Sequence, residues 1–212
     1  MKHTLFTMIL IAALMQASSG LCIDADEILD NVKKKYDKAE SFTADYTQQF
    51  QWKLTGQVQD QNGHIILRGA DQFRIETGDQ TIVSDGKTLW TYSKMYEQVI
   101  VDDIQKAQEV VLPRELLLKF SKDYAPELLG EEIFEDQSCY VIQLNAKSDD
   151  VFIRQMKVWV KKGDWLTLKI EHRDLNENIT TYIIRNIVLD VDVKQETFRY
   201  APPEGTEVID MR

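Results

Sequence analysis

Cysteine is almost missing. Cys22 and Cys139 are the only two in 212 residues. A disulfide scaffold is therefore excluded, although an oxidising compartment permits one Cys22–Cys139 bridge. Histidine is equally scarce. His3, His64 and His172 lie far apart, and no His, Cys, Asp or Glu spacing matches that of a metal site. No G-x-S-x-G nucleophile elbow and no glycine-rich phosphate loop occurs. The acidic pairs Glu131-Glu132 and Asp149-Asp150 fall in strand starts and turns, where carboxylates are solvated. Nothing in these residues supports an enzyme, a cofactor or a metal.

Long apolar runs are also lacking, with one exception at the start. Lys2 precedes a nearly continuous apolar stretch from Thr4 to Ala17, and Ala17-Ser18-Ser19-Gly20 is small and polar. This layout predicts a secretory signal peptide over residues 1–20, removed on export. At about 14 residues the stretch falls short of the roughly 20 that span a bilayer. Leu21 before Cys22 is too bulky for the small residue that lipoprotein processing needs, so lipidation of Cys22 is not expected.

The remaining residues, 21–212, have the length of one domain and can bury a core unaided. Basic groups are outnumbered by acidic ones, 25 to 35, for a net charge of −10. Such a surface repels nucleic acid and anionic headgroups. Neither a nucleic-acid partner nor permanent adhesion to a membrane is expected.

A helix starting at Asp24 or Asp26 and running to about Ala39 is predicted by Ile28, Leu29, Val32 and Tyr36 at helical spacing. The period then changes to two. Phe42, Ala44, Tyr46, Phe50 and Trp52 share one face of a long strand, interrupted by Gln48. Gln61-Asn62-Gly63 reads as a hairpin turn. Short strands follow at 73–76, 81–84, 89–92 and 98–101. Two short helices are expected at 103–110 and 113–121, the second opening on Pro113. Strands resume at 132–134, 139–144, 152–161, 165–174 and 179–188. About 10 or 11 strands on short loops, with about three helices, make a mainly β fold: an incomplete antiparallel barrel.

The block Ile82-Val83-Ser84-Asp85-Gly86-Lys87-Thr88-Leu89-Trp90-Thr91-Tyr92 closely resembles the hallmark of the outer-membrane lipoprotein carriers, the LolA family. Ser41 to Gln48, Glu97-Gln98-Val99 and Phe198 to Val208 resemble other blocks of that family, in order. The resemblance implies a half-open barrel with an apolar concave face under helical lids. It implies a monomeric periplasmic carrier that takes the acyl chains of lipoproteins from an inner-membrane ABC-type transporter to an outer-membrane acceptor. An outer-membrane receptor of the same fold and a periplasmic lipid-sensing module remain alternatives. The resemblance places a lid-latching arginine at Arg68, with Arg74 as competitor. Gly69 stands where the family pattern has proline, and one extra residue precedes Phe73. Patterning and the fold analogy together mark Phe42, Tyr46, Phe50, Trp52, Phe73, Trp90 and Tyr92 as cavity residues, with Leu116, Leu117 and Phe120 on the lid.

Overall fold

The computed structural model describes residues 23–105, 123–149 and 151–212. The expected signal peptide, nearly all of the helices expected at 103–110 and 113–121, and the expected lid positions Leu116, Leu117 and Phe120 lie outside the described residues.

Helix α1 (Ala25–Lys38) starts on Asp24, whose side chain accepts a hydrogen bond from the Glu27 amide at 2.8 Å. Asp26 and Glu27 occupy its first turn, and Lys35 and Lys38 its last. Each sign stands at the end the helix dipole favours. Ile28, Val32 and Tyr36, four residues apart, are its buried stripe.

Twelve strands form one sheet. They are β1 (Ser41–Gln51), β2 (Val58–Arg68), β3 (Gln72–Thr77), β4 (Gln80–Asp85), β5 (Thr88–Ser93), β6 (Gln98–Asp103), β7 (Tyr124–Phe134), β8 (Gln137–Ala146), β9 (Ile153–Lys161), β10 (Thr167–Asp174), β11 (Ile179–Leu189) and β12 (Glu207–Asp210). Their order is β12-β6-β5-β4-β3-β2-β1-β11-β10-β9-β8-β7. All pairings are antiparallel except that of β12 with β6. Register shifts at 43/45, 128/130, 167/169 and 173/174 bend the strands where they fall. Added to the ordinary twist, they curl the sheet and give it an inner and an outer face.

The inner face holds the core. Phe42, Leu67 and Phe73 from one half of the sheet and Ile142, Leu144, Val158 and Ile170 from the other are buried in one cluster with α1. Tyr36 ties the helix in. Its ring lies 5.7 Å from that of Phe42, and its hydroxyl accepts the Thr167 amide at 3.2 Å. Burial raises its pKa to about 12.

The outer face is covered in part by the chain after β11. A short 3-10 turn, Gln195–Phe198, places Phe198 in a fully buried position, and Tyr200 stacks on Tyr92 at 5.7 Å. Val83, Val99 and Val101 point outward by register, yet they are buried.

Four expectations are corrected. Twelve strands replace 10 or 11. The first hairpin turns at 52–57, where Gly56 has φ 68° and donates to the Trp52 carbonyl at 2.8 Å. Gln61-Asn62-Gly63 lies inside β2. Gly63 is there for space: a Cβ would sit 2.4 Å from the Tyr46 ring, which covers it. Strand β7 is far longer than 132–134, and the sheet is not purely antiparallel, because β12 pairs with β6 in parallel.

Candidate functional site

A cavity of about 670 Å³ opens on the inner face between β1–β4 and β10–β11. Its character is set row by row across the strands. Deepest are Phe42, Leu67 and Phe73, in register and buried. Next come Ala44, Ile65, Ile75 and Ile82. Above them Ile184, Tyr46, Gly63 and Thr77 stand side by side. Then come Tyr182, Gln48 and Gln61, and finally Thr180, Phe50 and Gln59. The cavity is thus apolar at depth and increasingly polar toward one end of the sheet.

That end carries the β1–β2, β3–β4, β5–β6, β8–β9 and β10–β11 connections, because antiparallel order places alternate loops together. Backbone hydrogen bonds link several of them: Lys94 to Asp79 at 2.9 Å, and Leu175 to Phe152 at 3.1 Å. The Lys53 amide also donates to the Asn178 side chain at 3.1 Å. Large apolar side chains stand exposed on these connections: Leu54, Met95, Tyr96, Phe152 and Leu175.

His172 belongs to the cavity wall. Its residue exposure is 6%, its ring meets that of Tyr182 edge-on at 5.6 Å, and its Nε2 is buried with no partner. Burial lowers its pKa from 6.5 to about 4, so it is neutral near pH 7. Burial also raises Tyr182 to about 12, helped by neighbouring Tyr46, and raises Tyr46 as well. The wall is therefore uncharged there.

The expected cavity residues separate into three groups. Phe42, Tyr46 and Phe50 line the cavity. Trp52 stands beside it, edge-on to Phe50 at 4.6 Å, over a smaller recess shared with Gln59 and Gln61. Phe73 is 2% exposed and packs in the core below. Trp90 and Tyr92 face the other way. They pair with Val83 and Thr81, which alternate away from cavity-lining Ile82 and Gln80. An aromatic face in β5 is real, but its cover is the C-terminal segment.

Both arginines proposed as a latch also lie on the outer face. Arg68 donates from Nη1 to the Val193 carbonyl at 2.7 Å, from Nε to Gln72 at 2.9 Å, and from Nη2 to Gln195. Its guanidinium sits 4.7 Å from the centre of the Phe198 ring. Arg74 pairs with Glu76 and reaches the Thr197 carbonyl at 3.4 Å. Arg68 thus fastens the C-terminal segment; the lid it was expected to latch lies outside the described residues. Residues 65 and 67 face the cavity and core, so residue 68 cannot face the same way.

Sequence reasoning missed Ile65, Ile75, Ile82, Ile184, Tyr182 and His172. Their signal is non-local: the β11 residues join the cavity because β11 pairs with β1.

One outer-face grouping has the order of a catalytic relay. Thr43 Oγ1 lies 3.0 Å from His64 Nε2, and His64 Nδ1 lies 2.7 Å from Asp45. Asp45 and His64 are direct cross-strand partners, and Asn186 donates to the same carboxylate at 2.7 Å. On this open sheet face, at about half exposure, the grouping is a polar ladder that stabilises strand pairing. Among the described residues no three or more His, Cys, Asp or Glu side chains converge to hold a metal. No described helix is long and apolar enough to cross a membrane.

Comparison with known proteins agrees with this geometry. A solved structure of a conserved protein from Thermus thermophilus superposes with a TM-score of 0.60 at 16% identity, covering 88% of this chain and 98% of that one. This likeness establishes the fold. The outer-membrane lipoprotein carrier protein of Halorhodospira halophila is 28% identical over 210 residues, 97% of this chain and 93% of its own. The protein MJ0687 of Methanocaldococcus jannaschii is 27% identical over 215 residues, 98% of this chain, which spans 60% of that relative's length. The sequence profile described as outer membrane lipoprotein carrier protein LolA matches residues 37–201. With a match over more than half its length, this chain belongs to the LolA family.

Proposed function

We propose that this protein is a periplasmic carrier that holds the acyl chains of lipoproteins in the inner-face cavity. It shuttles them from an inner-membrane transporter to an outer-membrane acceptor. The observation that carries this reading is the cavity itself, apolar at depth and open at one end, in a chain of this family. The leader expected at residues 1–20 supports export.

Size decides how cargo is held. At about 30 Å³ for a water-sized group, about 670 Å³ has room for about 22 such groups. One 16-carbon chain fits; three do not. Its roughly 14 methylenes at about 0.8 kcal/mol each give about 11 kcal/mol. That is a ceiling near 10 nM before the costs of association are subtracted. Two or three chains fully covered would amount to roughly 22 to 34 kcal/mol, beyond the noncovalent limit of about 18–21 kcal/mol. Partial cover and direct hand-over at the open end therefore suit a reversible carrier better than release through water.

The test is to purify the mature protein from its native host and identify co-purifying molecules by mass spectrometry. Acylated lipoproteins are the expected result. Their absence, with free fatty acid or glycolipid in their place, would replace lipoprotein with a general lipid cargo. In the same preparation Ile82→Glu, which puts a charge at the apolar depth, is expected to abolish co-purification while the fold persists.

A further inference from the structure

Six polar side chains facing the cavity have no hydrogen-bond partner in the protein among the described residues. They are the amides of Gln48, Gln61 and Gln80 and the hydroxyls of Thr180, Tyr46 and Tyr182. On the opposite face of the same strands the polar side chains are paired: Gln49 donates to Asp60 at 3.1 Å, and Thr47 to Asn62 at 2.9 Å. Gln48 and Gln61 are direct cross-strand partners, and both are half-buried. A sheet that satisfies its outer ladder yet leaves its inner amides open has set them aside for something else. Unpaired half-buried amides carry a cost that a ligand's polar groups can remove.

The charge around this collar is equally specific. Among the described lining residues Asp174 is the only charged one. Its Oδ1 accepts the Asn176 and Asn178 amides at 2.8 and 2.9 Å, and its Oδ2 accepts the Asn178 side chain at 2.9 Å. It is thus fixed in its turn and has no lysine or arginine beside it in the described lining. A phosphate or carboxylate placed here would meet a like charge and no counter-ion in the described lining, and Lys53, on the adjoining connection, is already paired with Glu177 at 3.1 Å. His172, at the join between floor and collar, is neutral and cannot supply one.

We infer that the open end of the cavity is a subsite for an uncharged, hydrogen-bonding head joined to an acyl chain, with Gln48, Gln61 and Thr180 as its recognition groups. The inference rests on the acyl-carrier reading and adds the chemistry of the head. Glycerol hydroxyls and the amides of an acylated peptide share that chemistry. An anionic phospholipid does not.

The experiment is displacement of a pyrene-labelled fatty alcohol from the mature protein by four competitors of equal chain length. They are monopalmitoyl glycerol, an N-palmitoyl dipeptide amide, palmitoyl lysophosphatidylglycerol and hexadecanol. The first two are expected to compete at least tenfold better than the lysophospholipid and better than hexadecanol. Whichever of the two is stronger names the source of the head. Gln48→Leu/Gln61→Leu is expected to erase the advantage over hexadecanol while retaining binding of the probe. Gln49→Leu, on the outer face, is the control and retains it. Equal competition by all four, or an advantage untouched in the double variant, overturns the collar and leaves the carrier reading intact. Failure of the probe and every acyl compound to bind overturns the carrier reading itself.

Discussion

Lowering the pH acts on the cavity wall through one side chain. His172 has a pKa of about 4 in the folded protein against 6.5 when unfolded, because burial penalises its charged form. Above pH 6.5 both states are neutral and the group contributes nothing to the difference. Below it the unfolded chain takes up a proton that the folded one refuses, so stability falls as the pH falls, through a window from about 6.5 to about 4. At about 1.4 kcal/mol per unit, the loss between pH 7.5 and pH 4.5 is about 2.5 kcal/mol. For a chain of this size that lowers Tm by roughly 5–10 °C. The assay is thermal melting of the mature protein and of His172→Leu at the two pH values. Carboxylates held low in the fold also lose stability in acid. Asp45 is held by Asn186 and His64, and Asp164 by Lys161. They do so in both proteins, so the wild-type drop minus the variant drop isolates the histidine. Equal drops would refute the claim that burial, with no compensating partner, governs His172.

Three further outcomes follow from packing. Gly63→Ala places a methyl 2.4 Å from the Tyr46 ring and is expected to destabilise by about 1–3 kcal/mol in urea titration; the cost should shrink in a Tyr46→Ser background. Arg68→Leu removes the donors to the Val193 carbonyl and Gln195. Its effect should be faster hydrogen exchange and proteolysis over residues 190–200, with acyl-probe binding and release unchanged, whereas a latch on a cavity lid would alter release. Phe73→Ala empties a fully buried core position and should cost about 3–5 kcal/mol, far more than Trp52→Ala at the half-exposed edge of the cavity.

Much of the fold was legible because its elements repeat a local period. Helix α1 was readable from Asp24 and the stripe Ile28, Val32 and Tyr36, and β8 to β11 from apolar alternation. Strand β7 was not, since Pro126 and the bulge at Gly130 (φ 134°) break its pattern. Gly63 misled for a related reason: Asn-Gly is a turn signal locally, and only the distant Tyr46 ring makes glycine a strand residue there. At the site, β1 yielded Phe42, Tyr46 and Phe50 by its own alternation. Trp90 and Tyr92 alternate just as clearly, but period two defines two faces without saying which is inside. That choice is made by the segment carrying Phe198 and Tyr200, more than 100 residues away. The same ambiguity hid which face Arg68 and Arg74 occupy.

The parallel strand β12 has a consequence for solubility. A single open sheet has two free edges, and an unguarded edge is a template for another chain. On the β6 side, among the described residues, that edge is covered by the four residues of β12, which include Glu207 and Asp210. Parallel pairing requires the chain to cross the sheet first, and here the crossing is the outer-face segment fastened by Arg68 and Arg74. The guard therefore depends on those two arginines together with the buried Phe198 and the Tyr92–Tyr200 stack. A chain ending before Glu207 would keep its cavity but expose the polar backbone of Gln98–Asp103, and it should self-associate through that edge.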